Sequence, residues 1–303
     1  MQHTRRAVIG AGIGAVACAG PWRTAFPQTL EPIGKTIPST GEALCPVGIG
    51  TNRFGGDASA RAGLRATLAR FHALGGQLVD TAEEYGSSES IIGELTADLG
   101  VNEELFLASK VRMSGREAGI RSIEQSFARL RRETLDLMQV HDLIDYATQI
   151  QTLRALKEEG RLRYLGITTA GDNDPTQTER LLRTETFDFL QITYSLDDRR
   201  AAERLLPLAA DRGVAVLVNR PFGRGSIFGA IGDRPLPDWA AEFDCRSWAQ
   251  FFLKYIISHP AVTCAIPGTR REEHAVDNLG AAFGRLPDAA IRARQERFFD
   301  GLT

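Results

Sequence analysis

Eight short apolar runs alternate with amphipathic stretches along most of this chain, and that alternation is the strongest constraint on its fold. The runs span 47–50, 78–81, 105–109, 135–140, 164–168, 187–193, 214–218 and 262–267. Between them Leu64, Thr67, Leu68 and Phe71 recur at helical spacing, Ile91, Leu95 and Leu99 share a face, and so do Ile150, Leu153 and Leu156 and then Leu205, Leu208 and Ala209. Strands that alternate with helices predict a parallel sheet. The first seven runs begin about 23 to 31 residues apart, the repeat of a strand–helix unit. Eight such units over about 270 residues predict an α/β chain folded as a (β/α)8 TIM barrel rather than an open doubly wound sheet. Residues 33–45, with Ser39, Thr40 and Gly41 as turn residues, predict an N-terminal hairpin under the barrel floor. Residues 288–299 predict a C-terminal extra helix. The stretch 223–247, rich in Gly, Pro and Asp, reads as an insertion after the seventh strand, on the face where barrel active sites form.

The chain has 303 residues and a formal net charge of −2, which suits one large domain and excludes a general nucleic-acid binder. Cys18, Cys45, Cys245 and Cys264 form no CxxC pair, so no metal site is expected. The N-terminus differs in kind. The basic MQHTRR is followed by 14 uncharged residues, with Ala15, Ala17 and Ala19 near their end and Pro21 next. That is the layout of an export signal, too short and glycine-rich for a membrane span. Arg5 and Arg6 place it with the twin-arginine type, whose substrates fold before export. The expected organisation is therefore signal and linker over 1–28 and a single barrel over 29–303. The expected product is a monomeric periplasmic protein with the export machinery as a partner; an unused signal would leave it cytoplasmic. Gly10, Gly12 and Gly14 imitate a dinucleotide fingerprint, but the three residues Ala7, Val8 and Ile9 before them are too few for a strand.

Three of the apolar runs lead into chemistry. Asp80 lies at the end of one, with Tyr85 five residues on, and Lys110 and His141 end or follow the next two. In a barrel these four meet at the C-terminal ends of strands two, three and four. Singly each has an ordinary reading: a helix cap, a packed phenol, a solvated amine, a satisfied core imidazole. Together they make an acid–base set. His72 sits beside core-facing Phe71, His259 precedes Pro260 in a turn, and His3 lies in the export segment, so none of these joins it.

Several segments, in order, carry a family likeness: GIGT at 48–51, LVDTAEEYG at 78–86, SK at 109–110, VHDL at 140–143, LKEEGRLRYLGIT at 156–168, QITYS at 191–195, RPFGRG at 220–225 and IPGTRREEHAVDN at 266–278. With these the chain resembles the aldo-keto reductases. The resemblance implies a barrel that binds NADPH across its C-terminal face and reduces a small-molecule aldehyde or ketone, with Asp80, Tyr85, Lys110 and His141 as catalytic residues. It implies Thr51, Thr168, Thr169, Gln191, Asn219, Arg220, Phe222, Gly268, Thr269, Arg270, His274 and Asn278 as cofactor contacts, with Arg270, Arg271 or His274 at the adenosine 2′-phosphate. Free tyrosine, with a pKa of about 10, is a poor acid near neutrality, and a neighbouring ammonium lowers it. Lys110 is expected to do this for Tyr85, Asp80 to keep Lys110 charged, and His141 to give a second donor to the substrate oxygen.

Two positions depart from the family's pattern. Thr168-Thr169 stands where many relatives have Ser-Asn, and Asn219 where many stack a tyrosine on the nicotinamide. A Schiff-base lyase using Lys110 and a cofactor-binding barrel without turnover are the alternatives. Arg112, Arg116 and Trp239 are expected to face the substrate, and the arginines would favour an anionic one.

Overall fold

The computed structural model describes residues 31–55, 58–170 and 175–302. The expected export segment lies outside the described residues, as do 56–57 and 171–174.

An antiparallel hairpin of β1 (Lys35–Thr36) and β2 (Ala43–Leu44) comes first. Its turn needs Gly41, whose φ of 80° lets its N–H reach the Ile37 carbonyl at 2.9 Å. Ile37 and Leu44, 0% and 1% exposed, join Leu78, Phe106 and Phe189 in the cluster that fills the barrel interior. The hairpin therefore closes the floor, as expected. The Tyr164 hydroxyl ties it down, 2.8 Å from the Thr40 hydroxyl and donating to Glu42 at 2.6 Å.

The barrel strands are β3 (Ile49–Gly50), β4 (Leu78–Asp80), β5 (Phe106–Val111), β6 (Leu135–His141), β7 (Leu162–Thr168), β8 (Phe189–Thr193), β9 (Ala215–Asn219) and β10 (Cys264–Ala265). They lie parallel in chain order, and bridges Val47–Ala265 and Gly50–Gly268 join the first to the last. Gly50 suits that seam, because a Cβ there would stand 3.0 Å from the Ile266 carbonyl oxygen. All eight expected runs are strands, with ends displaced by up to two residues. Side chains alternate inward and outward, so β6 sends Leu137 into the interior cluster and Met138 and Val140 against the helices.

The helices are α1 (Ala58–Ala73), α2 (Ser88–Leu99), α3 (Arg116–Leu130), α4 (Tyr146–Glu158), α5 (Pro175–Thr184), α6 (Leu205–Asp211), α7 (Ser226–Ile231), α8 (Trp248–Ile257), α9 (Glu272–Leu279) and α10 (Ala289–Asp300). The predicted stripes face the core, with two exceptions: Leu99 and Leu208 stay half-buried, and Leu206 takes the deep position in α6. α10 starts where expected because the Asp288 carboxylate accepts the Ile291 N–H at 2.8 Å. α8 shows no stripe in the sequence, since its residues from Gln250 to Ile257 are all buried. Its outer side is covered too. Gln295 of α10 donates to the Phe251 carbonyl at 2.9 Å, and Lys254 reaches the carbonyls of Phe283 and Arg285 at 2.6 and 2.8 Å. Trp239 corrects an expectation. It packs on Phe243, Phe251 and Phe298 with the Arg294 guanidinium over its ring, so it belongs to an aromatic core.

Candidate active site

The C-terminal strand ends place the expected residues in one layer. Asp80 closes β4, Lys110 is next to last in β5, and His141, Thr168 and Asn219 close β6, β7 and β9. Asp80 pairs in register with Ala108, so Lys110 stands two residues further along the same inner face and reaches back. Its ammonium donates to both Asp80 oxygens, at 2.8 and 2.7 Å, and to the Thr81 carbonyl at 2.6 Å. Both side chains are buried, 2% and 3% exposed. Burial is the largest influence on Lys110 and presses its pKa down, but Asp80, Tyr85 and Glu89 together outweigh it and the net shift is upward, so the amine is held charged. A neutral amine is what Schiff-base chemistry requires, and this arrangement disfavours it.

Tyr85 arrives on the turn after β4. Its N–H donates to the Ala82 carbonyl at 3.0 Å, and Gly86 follows in the left-handed region at φ 61°. The Lys110 ammonium lies 5.3 Å from the Tyr85 ring centroid. The His141 ring meets the Tyr85 ring edge-on, 6.5 Å between centroids and 85° between planes. Lys110 is the largest influence on the phenol and lowers its pKa, yet burial and the carboxylates of Asp80, Glu84 and Asp142 together outweigh it. The net shift is upward from 10.0, which reverses the expected direction. The sequence reading missed the two loop carboxylates beside the motif. His141 is held neutral: burial first, then Lys110 and Arg112, push its pKa down to about 3.

A second hydrogen-bonded chain leads sideways from Asp80. Gln191 donates to Asp80 Oδ1 at 2.9 Å and accepts from the Thr168 hydroxyl at 2.8 Å. The Thr169 N–H donates to the Gln191 carbonyl at 2.9 Å, and the Thr169 carbonyl accepts from Asn219 at 3.2 Å. Asn219 accepts in turn from the Thr193 hydroxyl at 2.8 Å. Thr51 sits behind β4 with its hydroxyl on the Asp80 carbonyl at 2.9 Å, in a buried hydroxyl group with Thr81 and Ser88.

The remaining expected cofactor residues sit apart from this network. Arg220 has a positive φ of 49°, and Phe222 meets Phe228 at a tilt and Phe252 edge-on. Gly268 lies on the seam opposite Gly50. Thr269 accepts the Arg271 N–H at 3.2 Å on the turn into α9. Arg270 and His274 are exposed there and Asn278 is buried. Arg271 is bound by Glu273 at 2.6 Å, which leaves Arg270 and His274 as the better options for an anion at this helix start.

Three residues of consequence escaped the sequence reading. Glu84 lies 3.2 Å from His141 Nδ1, off the line of a hydrogen bond; Asp142 lies 3.8 Å from His141 Nε2; and Thr193 holds Asn219. Glu84 and Asp142 are chain neighbours of Tyr85 and His141, and that adjacency is the signal that marks them.

Comparison with known proteins agrees with this geometry. The Aldo/keto reductase family model matches residues 46–296. Methylglyoxal reductase YeaE of Escherichia coli is 30% identical over 85% of this chain and 92% of its own length. Aldo-keto reductase YhdN of Bacillus subtilis is 26% identical over 65% of this chain and 64% of its own. In fold, an aldo-keto reductase from Klebsiella pneumoniae crystallised with NADPH superposes with a TM-score of 0.75 at 24% identity, covering 89% of this chain and 96% of that one. The chain belongs to the aldo/keto reductase family.

Proposed function

We propose that this protein reduces an aldehyde or ketone to the alcohol with NADPH, and that Tyr85 delivers the proton. The observation that carries the reading is the buried ammonium of Lys110, held by Asp80 at 2.7 Å and lying 5.3 Å from the Tyr85 ring. A phenol whose pKa sits above 10 keeps its proton at neutral pH, as an acid must before it acts. As that proton moves to the carbonyl oxygen, phenolate charge develops opposite an ammonium already in place. Neutral His141, edge-on to Tyr85, is suited to donate to the same oxygen. NADPH, when bound, supplies the hydride.

The donor set fits that cofactor at its phosphate end. Arg270 and His274 flank the first turn of α9, the positive end of the helix dipole, where Glu272 and Glu273 also stand. At the other end Thr168, Thr169, Gln191 and Asn219 line the strand ends as a polar shelf beside Asp80. Reductase names among the relatives, and the NADPH in the Klebsiella structure, support the same reading. The test is turnover of 4-nitrobenzaldehyde with NADPH. Tyr85→Phe should keep the cofactor-induced quench of tryptophan fluorescence and lose about 10²–10⁴ in rate. Quench without turnover in the wild type across an aldehyde panel would favour a binding protein instead.

The barrel over 29–303 as one monomeric domain, preceded by an export signal over 1–28, belongs to the same proposal. The Arg5-Arg6 pair ahead of an uncharged stretch supports it. A protein exported folded can carry its nucleotide with it. Substituting both arginines by lysine should strand the protein, and its NADPH, in the cytoplasm.

A further inference from the structure

We infer that this site discriminates by charge, taking neutral or cationic carbonyl compounds and rejecting carboxylate-bearing ones, and that Glu84 and Asp142 set the preference. The inference rests on the reductase reading and adds its substrate class.

The two donors that would hold the carbonyl oxygen are Tyr85 and His141, ring to ring at 6.5 Å. A carboxylate flanks each nitrogen of His141, with Glu84 Oε2 3.2 Å from Nδ1 and Asp142 Oδ2 3.8 Å from Nε2. Both also act on the Tyr85 phenol and oppose its ionisation. Neither lies there by the accident of a floppy loop. Asp142 and the next residue, Leu143, adopt φ of 50° and 57°, a left-handed conformation that is unfavourable for side chains other than glycine. Glu84 is clamped at 2.8 Å by Arg112.

Among the described residues, charge around the donor pair is therefore unbalanced. Lys110 is cancelled by Asp80, which holds it at 2.7 Å. Arg112, expected from the sequence to attract an anion, is already engaged. Its guanidinium faces Glu84 at 2.8 Å and Asp142 at 3.8 Å, and its N–H donates to a third carboxylate, Glu83, at 2.6 Å. Two carboxylates meet one guanidinium, and a third takes the backbone N–H of the same residue. A substrate whose carbonyl oxygen lies between Tyr85 and His141 carries its substituent a few bonds away, inside the screening length of about 8–10 Å. An anionic substituent is repelled there, and a cationic one is drawn in.

A matched aldehyde series tests this: 4-oxobutanoate, its methyl ester, and 4-(trimethylammonio)butanal, each with saturating NADPH. In low salt the wild type should favour the ester over the anion in kcat/KM by about 10-fold or more, with the cation at least equal to the ester. The ratio should shrink toward parity in about 1 M salt, where the screening length is ~3 Å. Glu84→Gln with Asp142→Asn should level it, and Arg112→Gln should widen it, each variant checked for fold by its NADPH fluorescence quench. Equal use of anion and ester by the wild type, or a preference unmoved by salt and by the paired substitution, overturns the inference while leaving the reductase intact. Absence of any turnover of the ester would instead remove the reductase reading, and this one with it.

Discussion

Gln191 donates its side-chain amide to Asp80 Oδ1 at 2.9 Å, across 111 residues of chain. The carboxylate that fixes the Lys110 ammonium is thus itself fixed by the residue the family pattern assigns to the nicotinamide. Both ends of that amide are used, since its oxygen accepts from Thr168. The polar shelf and the Asp80–Lys110 pair are one hydrogen-bonded unit.

Gln191→Met should therefore do more than weaken cofactor binding. It leaves the Thr168 hydroxyl without its acceptor and Asp80 with one donor fewer, in a buried layer. The expected loss of stability is about 1–3 kcal/mol. Because Asp80 aims Lys110 at Tyr85, kcat at saturating NADPH should also fall. Urea unfolding and steady-state kinetics at saturating cofactor check the two effects separately.

The Asp80–Lys110 pair should show strong coupling. Either Asp80→Asn or Lys110→Met leaves one buried group without its counter-charge, at a cost of about 3–5 kcal/mol. The double variant should recover much of that stability while remaining inactive, a non-additivity readable by a denaturation cycle. The Lys110 pKa is raised in the fold, so the pair's contribution is complete below the ordinary lysine value and is lost only as alkaline pH passes the folded one.

Acid should act through histidine. The His141 pKa is pushed down to about 3 and that of His259 to about 4, in both cases chiefly by burial. The unfolded chain therefore binds more protons than the fold from pH 6.5 downward, and stability falls as pH falls through that window. Each group contributes up to about 1.4 kcal/mol per pH unit, less for the half-exposed His259. His259→Gln should flatten part of the slope in urea unfolding between pH 6.5 and 4. A stability profile that stayed level over that range would contradict the buried neutral state of both rings.

The barrel was legible because its signal is repeated. Eight apolar runs at near-constant spacing leave few alternatives, and small errors at the ends of 262–267 or 47–50 do not disturb the count. The cluster at the strand ends was legible for a related reason: Asp80, Lys110 and His141 are polar residues at the ends of buried strands, where polarity is conspicuous. α8 was hidden by being buried all round, Gln250 and Lys254 included, so no stripe marks it. The direction of the Tyr85 shift was hidden as well, because Glu84 and Asp142 read as solvated loop charges until the fold turns them onto His141. Trp239 misled for want of any sequence signal that its loop folds back onto α8 and α10.

One helix crossing tests how far the support of the site extends. Gly93 of α2 faces α3 so closely that a Cβ there would stand 2.1 Å from the Arg129 carbonyl oxygen and 2.8 Å from the Leu130 carbonyl carbon. Both are backbone atoms, so Gly93→Ala must push the helices apart. Overpacking of this kind costs about 1–3 kcal/mol. The same crossing carries Glu89, which accepts from Arg129 at 2.7 Å and from the Ser109 hydroxyl at 2.5 Å, and Ser109 is the neighbour of Lys110. Separating α2 from α3 pulls on both bonds, so kcat should fall together with the melting temperature. Gly63 of α1 supplies the contrast, since a Cβ there meets nothing within 4 Å. Gly63→Ala should instead stabilise by about 0.5–1 kcal/mol, through helix propensity alone, with kcat unchanged. Equal and small effects at the two positions would mean that α2 and α3 are not in the contact described.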